Sequence, residues 1–439
     1  MSTTLALLSG GAVVGSAVLA YWSRLGAGPG VRALTAAEIT VDAPLELRTA
    51  VSILAQPAQT NMMFAALGLG SVDDGFPHVE VWDYDQHGLH VDVLMLGGHK
   101  LKDWNNEDVL DQFATYLGVP EVTASSPAPS WVRLQVRVYD TLAAPTSASV
   151  AVPNGVDLEA IPVGVLESGE VWNLAVLYRH LLIAGGTNAG KGGLVWAIIA
   201  GLAPAIKAGL VELWVADPKG GMEFWRGRKL MTRCEYTDEG IVAMMADAET
   251  LMLERASRCR EAGIEKHVPT VDEPLIVIIV DEAASMTSYA DKDTIAKFER
   301  HYGKLLTQGR APGFCVITCV QDPSKETLPM RQLIPVRIAL RLDEKTQIGM
   351  VHGDSARDRG ARCDEIPYTT PGVAYVREDG TPNIVRARAY FVSREDIAYL
   401  VEHYTPDYNL EPSAPAPGEY ADFDPDDLGD GDQDGEVAA

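Results

Sequence analysis

The chain has 439 residues, 47% of them hydrophobic, which is enough for two folded units with separate cores. It carries 36 lysines and arginines against 61 aspartates and glutamates, a formal charge of −25, and this excludes a global basic field that would draw it onto nucleic acid. Five scattered cysteines, Cys234, Cys259, Cys315, Cys319 and Cys363, give no disulfide framework and point to a reducing compartment.

Leu5 to Trp22 (LALLSGGAVVGSAVLAYW) is uncharged and about as long as a helix needs to cross a bilayer core. It closes on Tyr21-Trp22, suited to the headgroup layer, and positive charge follows at Arg24 and Arg32. That order predicts an outside amino terminus and a cytoplasmic remainder, a single pass at the cell membrane. A cleaved signal peptide would carry its positive charge before the run. A buried helix rich in Gly, Ala and Ser is the alternative. Residues 1–24 are the expected anchor, and 25–36 begin as a flexible linker.

Residues 37–150 are expected to form a smaller α/β domain. HVEVWDYD (78–85) and LHVDVLMLGG (89–98) are predicted strands, and Asn106 caps a predicted helix running to Leu117. In WVRLQVRVYD (131–140) the apolar Val132, Leu134, Val136 and Val138 alternate with polar residues, the pattern of a half-buried strand. No catalytic constellation stands out here, which suggests an assembly or spacing role.

From 151 to 400 the pattern becomes short apolar strands separated by helical segments: HLLIAG (180–185), LVELWVAD (210–217), LIVIIVDE (275–282), GFCVITCVQD (313–322) and VRIALRL (336–342). Such alternation predicts an α/β fold with a mostly parallel central sheet covered on both faces. GVAYVRE and NIVRARAYFV flank Asp379-Gly380 as a closing hairpin. Residues 405–439 are Pro-, Gly- and Asp-rich, an expected disordered acidic tail.

Two motifs carry chemistry. AGGTNAGKGG (184–193) follows an apolar strand and precedes a predicted helix over 192–208. Gly185, Gly186, Thr187, Asn188, Ala189 and Gly190 would curl so that their amides face phosphate oxygens, and Lys191 would reach the β- and γ-phosphates. Gly192 and Gly193 stand where a serine or threonine would help to hold magnesium. The second motif is Asp281-Glu282, delivered by the buried strand Leu275–Val280. Asp281 is the expected magnesium residue, acting mostly through water, and Glu282 the base for the attacking water. Together they predict a site for ATP and Mg2+, with the ion held by phosphates, water and Asp281, and Thr187 as a helper. Asp217 and Lys219 in ADPKGGMEF (216–224) and Gln321 after GFCVITCV end neighbouring strands, where ligands of open α/β sheets sit. Arg310 has no partner close in sequence and suits an arginine finger to a neighbouring subunit.

Taken in order, GGTNAGKGG, ADPKGGMEF, LIVIIVDEAASM, LLTQGRAPGF, ITCVQDPS and IPVRIALRL resemble FtsK/SpoIIIE-type translocases, and MVHGDSARDRGARCDEIPYTTPGVAYV resembles the versions on actinobacterial conjugative plasmids and integrating elements. The likeness covers roughly 160–392. It implies a RecA-like P-loop ATPase that assembles as a homo-oligomeric ring, a hexamer, drives double-stranded DNA through its centre and is anchored in the membrane. Three departures matter: one apolar span, Asp322 where the sensor segment would carry arginine, and no winged-helix module after the core. Target choice would then fall to a separate DNA-recognition protein. DNA phosphates would be met inside the ring by Lys292, Lys297, Arg300, Lys304, Lys325 and Arg331; a solvated helix face is the alternative for these residues. Two competing functions remain at this level: a type VII-like protein-secretion ATPase, and a non-hydrolysing nucleotide-binding scaffold.

Overall fold

The computed structural model describes residues 36–148 and 157–406. The expected anchor at 1–24, nearly all of the 25–36 linker and the tail from 407 onward lie outside the described residues. Among the described residues no helix is long and apolar enough to cross a membrane. The chain divides into two compact units, one ending at Ala143 and the other beginning at Ala144.

The first unit opens with three short helices, α1 (Ala36–Asp42), α2 (Arg48–Leu54) and α3 (Pro57–Ala66). Strands β1 (His78–Asp85), β2 (Gly88–Leu94), β3 (Glu121–Ser125) and β4 (Trp131–Arg137) pair antiparallel in the order β1-β2-β4-β3. Between β2 and β3 lie α4 (Leu101–Trp104) and α5 (Glu107–Leu117). The alternation expected along β4 is present: Val132, Leu134 and Val136 are buried, and their neighbours are half-exposed. They pack into a core where Phe64 meets Trp104 edge-on at 5.7 Å and Trp104 stacks on Phe113 at 6.1 Å. Asn106 caps α5 by accepting from the Asp108 amide at 2.9 Å, and left-handed Gly118 closes it.

The second unit is built on a ten-stranded mixed sheet, β6-β5-β14-β13-β12-β7-β11-β10-β8-β9. Its strands are β5 (Ile161–Leu166), β6 (Val171–Leu174), β7 (Leu181–Ala184), β8 (Val211–Ala216), β9 (Arg233–Glu235), β10 (Leu275–Val280), β11 (Phe314–Val320), β12 (Val336–Ala339), β13 (Val373–Arg377) and β14 (Val385–Ala389). The run from β9 to β12 is parallel throughout. The remaining strands extend it antiparallel from β12. The sheet is therefore more mixed than the strand–helix alternation predicted. The extension includes the β13–β14 hairpin and also β5–β6, which precede the glycine loop.

Every residue of β7, β10 and β11 is buried, as a sheet covered on both faces requires. Helix α6 (Lys191–Lys207) is apolar nearly all round and lies in the main core, with Leu194, Ile198 and Leu202 against Leu181, Ile183 and Leu213 of the strands. Helices α7 (Asp238–Ala262) and α8 (Lys292–Gln308) pack together, and Tyr302 of α8 is fully buried, its hydroxyl 2.7 Å from Thr318 Oγ1 of β11. Helices α9 (Lys345–His352) and α10 (Arg394–Tyr404) complete the unit. The five cysteines are all free, and Cys315 and Cys319 share the core face of β11.

Candidate nucleotide-binding site

In a parallel sheet the carboxyl ends of the strands share one edge, and the order β8-β10-β11-β7 brings four of the sequence motifs to that edge. The glycine loop leaves β7 and turns into α6. Gly185 N donates to Val320 O of β11 at 3.1 Å, and Gly186 N donates to Arg341 O at 2.8 Å, which fastens the loop to β11 and to the segment that follows β12. Asn188 (φ 58°) and Gly190 (φ 100°) are left-handed. A side chain at 190 would also run into the backbone of Gly372, whose amide donates to Ala189 O at 2.9 Å. Glycine is required there for two separate reasons. Helix α6 begins at Lys191, one residue earlier than predicted, because left-handed Gly190 acts as its cap.

Lys191 is 9% exposed, and its Nζ donates to Gly185 O at 2.7 Å and Gly186 O at 3.3 Å. The ammonium thus lies inside the loop. Burial holds its pKa below the ordinary lysine range, against the pull of the nearby Glu282 carboxylate. Phosphate oxygens arriving at the loop would replace the two carbonyls as its partners.

Asp281 is 1% exposed and accepts from Lys219 Nζ at 2.8 Å. Burial works against the charge on Lys219, but the hydrogen bond and charge of Asp281 outweigh it and raise its pKa. Glu282 is left-handed (φ 64°), an uncommon conformation for a residue with a long side chain and a recurrent one at functional sites. Its Oε1 accepts from the Gln321 amide at 3.3 Å, while Oε2 is buried with no partner. Burial raises the Glu282 pKa, and the Gln321 amide and two lysines oppose the shift. A buried carboxylate with one oxygen fixed and the other free is suited to hold a water and take its proton. A short π-helical turn, Ser285–Tyr289, follows directly.

Asp217 is fully buried, accepts from Lys219 N at 3.1 Å through Oδ1, and leaves Oδ2 without a partner. Burial and then the charge of Asp281 push its pKa up. Two residues contribute here that the sequence did not single out. Glu223 lies over the first turn of α6, where a Cβ at position 192 would run into its Oε1. Arg341 donates to Thr187 O at 2.5 Å and spreads its guanidinium 3.8 Å above the Tyr368 ring. Arg341 was visible only as a charge inside the strand-like run VRIALRL.

The glycine loop, Lys191, Asp217, Lys219, Asp281, Glu282 and the Gln321 backbone therefore converge. Gly192 is half-exposed, and Thr187, Asn188 and Gly193 are exposed. The donor set fits magnesium: hard carboxylate oxygens, two of them (Asp217 Oδ2 and Glu282 Oε2) buried without a partner. Among the described residues no group of three His, Cys, Asp or Glu side chains is placed to hold an ion alone, so a metal here would be shared with nucleotide phosphates.

Other candidates lie elsewhere. Arg310 precedes β11, at the opposite edge of the sheet, where it donates to Asp379 Oδ2 and Tyr178 O, both at 2.9 Å. It does not join this chain's own site, because its guanidinium is committed to the β13–β14 turn. Lys292, Lys297 and Arg300 are exposed on α8, Lys297 pairing with Asp293. Lys304 is paired instead with Glu249 of α7, at 2.5 Å. Lys325 is exposed after β11, and Arg331 is half-buried with Nη1 unpartnered. Asp322, where an arginine was expected, accepts from Ser324 N at 3.0 Å, Ser324 Oγ at 2.8 Å and Thr327 Oγ1 at 2.8 Å, so it organises its own turn.

A buried strand, a glycine loop with its lysine, a helix amino terminus and a carboxylate pair from the next strand but one define the class as P-loop ATPases. Residues 153–363 match the family model described as FtsK/SpoIIIE. Transfer protein TraSA of Streptomyces ambofaciens is 29% identical over 348 residues, 70% of this chain and 80% of that protein. DNA translocase FtsK of Campylobacter jejuni is 27% identical over 258 residues, 53% of this chain but 25% of that protein. Among solved structures, the pCW3 conjugation coupling protein TcpA with ATPγS shares the fold at TM-score 0.53 and 17% identity, over 79% of this chain and 98% of TcpA.

Proposed function

We propose that the chain is an ATP-driven translocase for double-stranded DNA, acting in conjugative transfer of a plasmid or integrating element. The observation that carries the proposal is the pairing of buried Lys191, inside its loop, with Asp281-Glu282 at the end of β10. The names of TraSA, a transfer protein, and FtsK, a DNA translocase, supply the direction of the work. In this reading the protein is anchored in the cell membrane through residues 5–22, works as a hexameric ring with its ATPase domain in the cytoplasm, and takes its target from a separate DNA-recognition protein.

Bound ATP with its magnesium supplies the phosphoryl group that passes to water. Lys191 and the loop amides fix and neutralise the phosphate oxygens. Asp281, oriented by Lys219, would hold the ion through water. Glu282 holds the attacking water at Oε2 and takes its proton, and Gln321, tied to Oε1 through its amide, links that event to the loop after β11. Arg310, held by Asp379 within its own chain, would serve only a neighbouring subunit, on exchanging Asp379 for that subunit's nucleotide. In this reading Lys292, Arg300 and Lys325, all exposed, meet backbone phosphates without reading bases.

The test is steady-state ATP hydrolysis by the full chain, with and without duplex DNA, beside Lys191→Ala. Turnover stimulated by duplex and abolished in the variant is expected. Turnover indifferent to DNA would favour the protein-secretion reading, and no turnover at all a scaffold.

A further inference from the structure

Phosphate loops ordinarily place a serine or threonine after the lysine, and its hydroxyl enters the coordination shell of the nucleotide's magnesium. Gly192 and Gly193 leave this chain with no hydroxyl on the first turn of α6. The space is not vacant. A Cβ built at 192 would run into Oε1 of Glu223, with the carboxyl carbon 2.7 Å and Oε2 3.5 Å away. In a serine the hydroxyl oxygen stands one bond beyond Cβ, so the Glu223 carboxylate brings an oxygen into the volume that a side chain at 192 would use. We propose that Glu223 supplies the protein oxygen for the magnesium of bound nucleotide, replacing the missing loop hydroxyl. The proposal rests on the nucleotide-site reading above.

The segment carrying Glu223 is constructed for this approach. It leaves β8 through Asp217-Pro218-Lys219 and doubles back at Gly220 and Gly221, both left-handed at φ 79°. Phe224, the next residue, is fully buried against Trp196 of α6 at 5.8 Å between ring centres. The backbone of Glu223 is thereby pinned to the same helix whose first turn lacks the hydroxyl. The Asp217 carboxyl, fully buried, accepts from Lys219 N through Oδ1 and keeps Oδ2 without any partner. The site thus holds four carboxylates, Asp217, Glu223, Asp281 and Glu282, against two ammonium groups, Lys191 and Lys219. A hard divalent cation brought by phosphates is the partner that such an excess accepts. Burial, and then the charge of Asp281, raise the Glu223 pKa above the ordinary glutamate value. Since the described carboxylates do not hold an ion by themselves, metal is expected to bind only together with nucleotide.

The test uses the full chain and a fluorescent ADP, titrated in magnesium and again in EDTA, with bound Mn2+ counted by electron paramagnetic resonance in the presence of ADP. Wild type is expected to bind more tightly with metal. Glu223→Ala is expected to lose about tenfold or more of that metal-dependent gain while keeping its affinity in EDTA. Adding Gly192→Ser to Glu223→Ala puts a hydroxyl into the space left free and is expected to restore both the gain and the bound Mn2+. Retention of the full metal-dependent gain by Glu223→Ala would overturn the proposal, and so would failure of the double variant to recover it. Failure of wild type to bind ADP in either buffer would instead sink the nucleotide site itself.

Discussion

At the residue scale, Gly190 and Glu282 both hold conformations that side chains ordinarily avoid, and they act in opposite ways. Gly190 must be glycine, because its φ of 100° and the backbone of Gly372 both exclude a Cβ. Gly190→Ala is expected to abolish nucleotide binding, read by fluorescent-nucleotide titration, with the far-ultraviolet circular dichroism unchanged. Glu282 adopts a left-handed conformation although it is not glycine, and its pKa is raised above 4.5 by burial. The folded protein therefore holds this proton more tightly than the unfolded chain does. The stability it contributes is fullest in acid and is lost as pH rises through the raised folded value. Glu282→Gln removes that loss, so the variant is expected to melt above wild type at neutral pH, with the gap closing in acid. Hydrolysis should disappear in the same variant. In wild type the acid limb of the rate profile should lie above the ordinary glutamate range, because the base must be ionised to act.

At the element scale, the glycine loop, Asp281-Glu282, the β13–β14 hairpin and the capped helix α5 were all legible in the sequence. Each is specified by neighbours within a few residues: an apolar run, a turn dipeptide, a capping Asn. What the sequence did not reveal depends on which strands become neighbours. Glu223 reaches α6 only because β8 lies on the same sheet edge as the glycine loop, and Arg310 is carried to the opposite edge because it precedes β11. Nor did charge pattern disclose that Arg337 of β12 lies directly across from Arg377 of β13. Like charges opposite each other destabilise a sheet, yet here both donate to the end of α9, Arg337 to Val351 O and Arg377 to His352 O, each at 2.7 Å. Burial, then Arg377 and Arg331, push the Arg337 pKa down to about 10. Arg337→Met breaks three hydrogen bonds to backbone carbonyls and is expected to cost roughly 1–3 kcal/mol in chemical denaturation.

At the scale of the whole molecule, the proposed translocase would have to handle a polyanion with a chain of charge −25. The exposed basic residues of α8 and of the loop after β11 are few, and several acidic residues interleave with them, so one subunit offers DNA a weak surface. A ring would sum those small contributions around a duplex and keep the acidic exterior away from it. The acidic balance is thus compatible with a motor that encircles DNA and unsuited to one that binds along its flank. The most direct measurement of that claim is displacement of a labelled third strand from a duplex by the full chain with Mg-ATP. Strand release that requires ATP hydrolysis, and is absent with Lys191→Ala, is the predicted result. ATP hydrolysis with no release of the third strand would contradict the translocase.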